Sequence, residues 1–292
     1  MNTVMKDFKV GARCATKGDV GIEVEVEGEN LPRPTRLWRI EHDGSLRGEA
    51  LEYVLRKPMA IKDACKALDY LGKQYEDNNT IVHDSVRAGV HVHINVQELT
   101  TVQLFTFITS YIILEDLLVK YCGEYREGNL FCLRMRDADF LLYMLEQTAN
   151  NKRFNDLHTD ILRYASMNVK SLHQYGSLEF RAMRGTRDLD VIATWAKLLL
   201  NLRNQAVKFE NAADLYRFIS EKGTESFLEL FLGDLIGEVC NTPVGDIDLS
   251  EGLLRAHPLA MKTNWETFKT VSIGGLEFPL GTEFPDAPME DW

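Results

Sequence analysis

No CxxC pair occurs in this sequence. Its five cysteines, Cys14, Cys65, Cys122, Cys132 and Cys240, are odd in number and widely scattered. That pattern is a poor match for a disulfide framework or a cysteine zinc site, and a reducing cytosol fits it better. No apolar h-region follows the N-terminal MNTVMKDFKVGARC, so no secretory signal is expected. Basic residues are in deficit: 33 Lys and Arg stand against 44 Asp and Glu, a formal net charge of -11. An acidic surface repels phosphate backbones, which argues against general nucleic-acid binding but leaves room for a local basic pocket for a nucleotide. Long apolar runs are missing too. The most apolar stretch, Leu104 to Val119, is interrupted by Thr106, Thr109, Ser110, Glu115 and Asp116. It reads as a buried helix, too short and too polar to span a bilayer. There is no internal repeat, no low-complexity segment and no GxxxxGK[ST] phosphate loop.

What is present is a globular composition. The 292 residues are 45% hydrophobic, enough for one large domain or two small ones with a real core. Residues 20–27 alternate strictly and predict a half-buried strand; 37–42 and 51–56 predict two more around the turn Asp43-Gly44-Ser45, and 89–96 another. Helical spacing marks 60–76, 99–122 with a cap at Thr100 or Thr101, 138–149 and about 188–209, with shorter helices over 212–236. Two strands and an intervening turn are expected within 163–183. The Gly- and Pro-rich end reads as irregular, which divides the chain into a catalytic domain over 1–240 and a largely irregular extension over 241–292. The element order implies an α+β fold, a mainly antiparallel sheet with helices packed on one face.

Three strands share one phase. Residues i and i+2 of a strand lie on the same face. Ile22, Val24 and Val26 oppose Glu23, Glu25 and Glu27; Val90, Val92 and Ile94 oppose His91, His93 and Asn95; Leu178 and Phe180 oppose Glu179 and Arg181. If the aliphatic faces cover one core, the polar faces form one surface of carboxylates, imidazoles and a guanidinium. Carboxylates at i and i+2 lie roughly 7 Å apart, and such a row repels itself unless a hard divalent cation supplies counter-charge. Taken singly, each signal has a plain alternative. An ExExE strand is more often a solvated outer face, an HxH strand is as often a polar strand as a metal site, and ExR is usually a surface ion pair. Their common phase carries the reading.

The segments GIEVEVEG, DGSLRGEALEYVLRKP, GVHVHINV, REGNLFC and YASMNVKSLHQYGSLEFRAMRGTRD, in this order over about residues 20–210, resemble the amidoligases. These are carboxylate–amine ligases with a glutamine-synthetase-like fold, often encoded by phages or in bacterial operons. The resemblance implies an ATP- and Mg2+-dependent enzyme, with Mn2+ as a substitute, that joins a carboxylate to an amine through an acyl phosphate. It implies metal ligation by Glu23, Glu25, His91 and Glu179, and ATP phosphates near His93. Arg181 would stabilise the transferring group. Glu52, in EYVLRKP, matches an acid expected to bind metal or the amine; Glu49 precedes it by three, and which of the two reaches the metal is open. Arg126 and Asn129 match a substrate-facing R-x-x-N pair, and Asn168 an Asn before the last strand, also taken as substrate-binding. The Leu-Arg-Lys between Val54 and Pro58 departs from the family pattern, so the lip of the site is expected to differ.

Other residues stay open between roles. Arg87 reads equally as a phosphate contact and as a solvated loop residue. Lys170, Arg184 and Arg187 flank the Glu179 strand and are candidates for an anionic substrate. His83, His158, His173 and His257 have no partner motif, and Cys132 has no base nearby in sequence. Two rival functions remain: a zinc-dependent amide hydrolase built on His91, His93 and Glu23, and a non-catalytic nucleotide-binding module of the same fold. The ligase reading expects ATP, small-molecule or peptide carboxylate and amine partners, no membrane, and a cytoplasmic location.

Overall fold

The alternation in the first strand is realised as β1 (Val20–Glu29), in which Val20, Ile22, Val24 and Val26 are essentially inaccessible to solvent in the computed structural model. The structure describes residues 2–11, 17–34, 36–123, 126–130, 132–160, 164–273 and 276–279. A short helix α1 (Val4–Asp7) precedes β1. Then follow β2 (Trp38–Glu41), β3 (Ala50–Leu55), α2 (Ile61–Asp77), β4 (Ile81–Val82), β5 (Gly89–Asn95), α3 (Thr101–Cys122), α4 (Asp139–Asn151), β6 (Met167–Asn168), α5 (Ser171–Tyr175) and β7 (Ser177–Arg184). The chain continues through α6 (Leu189–Ala206), α7 (Ala212–Leu232), α8 (Ile236–Val239), α9 (Ser250–Lys262), β8 (Thr270–Ile273) and β9 (Leu276–Pro279).

Among the described residues the main sheet has seven strands in the order β2-β3-β1-β5-β7-β6, with β4 paired to β1. Every pairing is antiparallel. One face is apolar. Val90, Val92, Ile94, Leu178 and Phe180 are fully buried there with the β1 valines, under α2, α3 and α6. The expected α+β architecture, an antiparallel sheet with helices on one face, is what forms.

Helix α3 is the centre of the helical layer. It is long and apolar enough to cross a membrane by length and composition, yet 83% of its most apolar window is buried inside the fold. A helix that is apolar all round has to be enclosed. Its start is fixed by a capping box: Thr100 Oγ1 accepts from the Gln103 amide, and the Gln103 side chain accepts from the Thr100 amide. Its end is closed by Arg184, which donates to the carbonyls of Tyr121 and Cys122 at 3.4 and 3.2 Å. Arg184 therefore serves as a structural cap of α3.

Two expectations are corrected and one is met. The two strands expected over 163–183 become a two-residue β6, the short helix α5 and β7, because the chain reverses at Gly176, whose φ of +66° favours glycine. The shorter helices expected over 212–236 do form: Ala212–Leu232 is broken at Gly223 (φ 86°, ψ 165°), and a 3-10 turn and α8 follow. Residues 241–292 are not largely irregular where described. Helix α9 packs against α3 so closely that a Cβ on Gly252 would stand 2.1 Å from the Ile113 carbonyl oxygen. Ala256, Leu259, Ala260 and Trp265 join the common core, and β8 pairs with β9. The expected irregular tail at 280–292 lies outside the described residues, as does Cys14. Cys65, Cys122, Cys132 and Cys240 are free thiols.

Candidate active site

The sheet's other face carries the polar phase. Register brings the residues together: Glu23 pairs with His91 across β1 and β5, Glu25 with Glu52 across β1 and β3, and His93 with Glu179 across β5 and β7. Directly opposed residues share a face, so six side chains from four strands converge. His91 Nδ1 lies 3.1 Å from Glu23 Oε2 and 3.7 Å from Glu179 Oε1, and its Nε2 lies 3.7 Å from Glu25 Oε1. His93 Nε2 lies 3.4 Å from Glu23 Oε1, and its Nδ1 is 3.1 Å from the Ser177 hydroxyl. Donor atoms of Glu23, His93 and Glu179 lie within 4.8 Å of one another, and so do those of Glu23, Glu52 and His91. These are two overlapping donor sets that share Glu23. Four carboxylates and two imidazoles suit a hard divalent cation.

The protonation states follow from this crowding. Burial alone would raise Glu23, but hydrogen bonds with His91 and His93 outweigh it and hold the carboxyl well below its usual range. Burial would likewise raise Glu179, but the charges of His93, Arg181 and His91 bring it down. His93 is raised despite burial, through Glu23 and Glu179. Arg181 is held as a cation by Glu179, to which its Nη1 donates. Glu52 goes the other way: burial and the charges of Glu23, Glu25, Glu41 and Asp43 push it up to about 8. The apo cluster thus has more acid than its own cations neutralise.

The remaining sequence candidates divide. Glu52 joins the cluster and Glu49 does not; the Glu49 carboxylate accepts from the Leu31 amide at 3.4 Å instead. Asn168 is buried and donates to Glu179 Oε2 at 2.6 Å, while its Oδ1 accepts from the Lys170 amide at 2.9 Å. It holds a ligand candidate in place. Asn129 donates to the Val86 carbonyl at 2.7 Å, steadying the loop that carries Arg87, and lines neither of the clefts described next. Cys132 is buried with its thiol pushed up by that burial, which leaves it unsuited to attack. His173 is tied to the carbonyls of Phe8 and Phe154, a structural role.

Two clefts flank the row. The first, about 390 Å³, is lined by Glu23, His93 and Asn95 with Arg39, Arg56 and Lys57. The second, about 590 Å³, is lined by Glu25, His91 and Arg181 with Arg87, Arg126 and Lys170. Glu23 and His93 of the row face the first cleft and Glu25 and His91 the second, so the row lies between them. Sequence reasoning missed Arg39 and did not assign Arg56 and Lys57, although the Leu-Arg-Lys departure sits there. Ser177 was missed as well; its signal is only that it lies two residues before Glu179, on the same face.

Fold and site together define an antiparallel α+β protein that presents a carboxylate–imidazole row between two cationic clefts. A family model described as "Putative amidoligase enzyme" matches residues 36–203, more than half of the chain. The chain belongs to that family. The match includes Glu52, His91, His93, Arg126, Glu179 and Arg181; Glu23 and Glu25 lie on β1, ahead of it. No curated protein matches the chain.

Proposed function

We propose that the chain is an ATP-dependent ligase that forms an amide bond between a carboxylate and an amine, on a sheet of the glutamine-synthetase type. One observation supports this above the others: Glu23 and His93 line the first cleft, Glu25 and His91 line the second, and His91 bridges the two at 3.1 Å from Glu23, so the clefts adjoin at the row. A nucleotide in the first cleft and a carboxylate substrate in the second would meet at that row. Both volumes lie in the range of small-molecule sites, about 300–1,000 Å³.

A divalent cation fits the residues present: donor atoms of Glu23, Glu52 and His91, and of Glu23, His93 and Glu179, lie within 4.8 Å of one another, and Glu52 is pushed up to about 8 by burial and then by neighbouring carboxylates whose charge a cation would offset. Glu23, Glu25, His91 and Glu179 would hold Mg2+ or Mn2+, with Glu52 beside them. When bound, the metal supplies charge neutralisation for the phosphates. The chain's own residues do the rest. Arg181, fixed by Glu179, would offset charge on the transferring phosphoryl group, for which a guanidinium fork is suited. The substrate carboxylate displaces ADP from the γ-phosphorus and becomes an acyl phosphate. The amine then attacks the carbonyl carbon, phosphate leaves, and Glu52 takes the amine proton. The His93 ring and the Arg39, Arg56 and Lys57 side of the first cleft would receive ATP phosphates. The setting we propose is the cytoplasm of a bacterium or of a phage-infected cell.

The test is ADP release in Mg2+ against pooled amino acids and peptides, with Glu179→Ala as control. Release that survives Glu179→Ala, or no release with any pool, refutes the reading. Stabilisation by Zn2+ alone exceeding that by ATP with Mg2+ would favour the hydrolase instead.

A further inference from the structure

Arg126 follows the C-terminal end of α3 and is 1% exposed. Two of its guanidinium nitrogens are committed to backbone. Nε donates to the Ala182 carbonyl at 3.0 Å and Nη2 to the Arg181 carbonyl at 2.7 Å, beside the irregularity where β5 and β7 change register. Nη1 is buried with no hydrogen-bond partner, and among the described residues no carboxylate pairs with the group. The Cys132 thiol is close by but brings no counter-charge, since burial pushes it up and keeps it neutral. Room for the guanidinium depends on Gly89: a Cβ there would stand 3.0 Å from Nη2 and 3.5 Å from Nη1. A buried charge is costly unless something pairs with it.

Arg126 is one of the residues lining the second cleft. Of the cleft's other cations, Arg181 is paired with Glu179 and Lys170 with Asp160, whereas Arg87 reaches only the Ser45 carbonyl at 3.4 Å. Two cationic groups therefore face this space without acidic partners among the described residues, next to the row where the reaction would occur. We infer that the second cleft takes a dicarboxylate: one carboxylate at the Arg181 side to react, and a second, non-reacting carboxylate gripped by Arg126 with Arg87. The substrate class is an acidic amino acid or a peptide end bearing two carboxylates. The inference rests on the ligase reading for which group reacts; the anion subsite itself is measurable without ATP.

The test is calorimetric titration of the full chain in Mg2+, without nucleotide, using glutarate, butyrate and inorganic phosphate. Glutarate is expected to bind at least tenfold tighter than butyrate, with phosphate no tighter than butyrate. Arg126→Lys keeps the charge but loses the fork, and Arg126→Met loses both; each should abolish the glutarate advantage. Because Arg126 also ties down β7, circular dichroism checks the fold. If both variants are unfolded, Arg87→Ala reads the same subsite and should weaken glutarate three- to tenfold while changing butyrate less than twofold. Glutarate binding no tighter than butyrate overturns the inference, as does phosphate binding tighter than glutarate. Folded variants that keep the glutarate preference overturn it too. A glutarate preference without ADP release from any substrate removes the ligase reading and leaves the subsite standing. ADP release with monocarboxylates alone does the reverse.

Discussion

Glu52→Gln should stabilise the metal-free protein and weaken its response to Mg2+. The Glu52 carboxyl is held at about 8 against an ordinary 4.5, first by burial and then by its acidic neighbours. That interval is worth ~5 kcal/mol, at about 1.36 kcal/mol per tenfold change in the proton equilibrium. A direct estimate gives the same order: a second carboxylate within 4.8 Å costs roughly 3 kcal/mol at an effective dielectric of about 20. Glu52 is only partly buried, so water screens much of this, and about 2 kcal/mol is the expected remainder. In the unfolded chain the group ionises near 4.5, whereas in the folded chain it keeps its proton until about 8. Through this group, folded stability falls as pH rises across that window. His93, raised when folded, also loses its contribution as pH rises, while Glu23 and Glu179, both lowered, lose theirs as pH falls. The wild-type curve sums all four; comparison with Glu52→Gln isolates the first. The assay is thermal unfolding at pH 5 and pH 8, in EDTA and in Mg2+. In EDTA at pH 8 the variant should melt roughly 4 °C above wild type, at pH 5 the two should nearly coincide, and Mg2+ should raise wild type more than the variant. A variant no more stable than wild type at pH 8, or an equal metal response, refutes the crowded-carboxylate argument.

Three further outcomes follow from the same geometry. Glu179→Ala removes a candidate metal ligand and the partner of Arg181, so ADP release should fall at least about a hundredfold, while circular dichroism stays native. Asn168→Ala leaves Glu179 without its amide donor, and Mg2+ affinity measured by titration should drop about 10- to 100-fold; an unchanged affinity would show that the bond does not position the ligand. Gly252→Ala drives a methyl group into the Ile113 carbonyl of α3 and should cost about 2–3 kcal/mol in urea denaturation. A neutral result there would mean that α9 is not seated on α3 as described.

Period-2 alternation made most of the sheet legible, because each central strand buries one face and a one-residue slip would expose its valines. The phase of β1, β5 and β7 was enough to bring Glu23, His91, His93, Glu179 and Arg181 to one surface. What alternation does not encode is which distant groups compete for a side chain. Glu49 and Glu52 are equally acidic in sequence, but Glu49 precedes the ladder and is taken by the Leu31 amide, while Glu52 is opposite Glu25 within it. Asn129 matches a substrate-facing R-x-x-N pair in sequence; in the fold its amide donates to the Val86 carbonyl, a contact the motif does not encode. Helix α9 escaped notice because it contains Gly252 and Pro258, both weak helix formers. Gly252 is there because α3 leaves no space for a side chain, a tertiary reason that local propensity cannot carry.

Gly89 shows the same limit inside the site. In sequence it is the residue before an alternating V-H-V-H run and reads as a strand boundary. In the fold its amide donates to Glu25 Oε2 at 2.8 Å, and its missing side chain is the space that the Arg126 guanidinium fills. One residue thereby links the acidic row to the cationic wall of the second cleft: it fixes a metal-ligand candidate through its backbone and admits an unpaired cation through its lack of a Cβ. Charges of opposite sign only a few residues of sheet apart would ordinarily collapse onto each other. Here the Arg126 guanidinium is held by the backbone carbonyls of β7, and Glu25 by the Gly89 amide and the nearby His91 ring, so each is anchored by other partners, and the dicarboxylate and cation proposed above would bring the complementary charges.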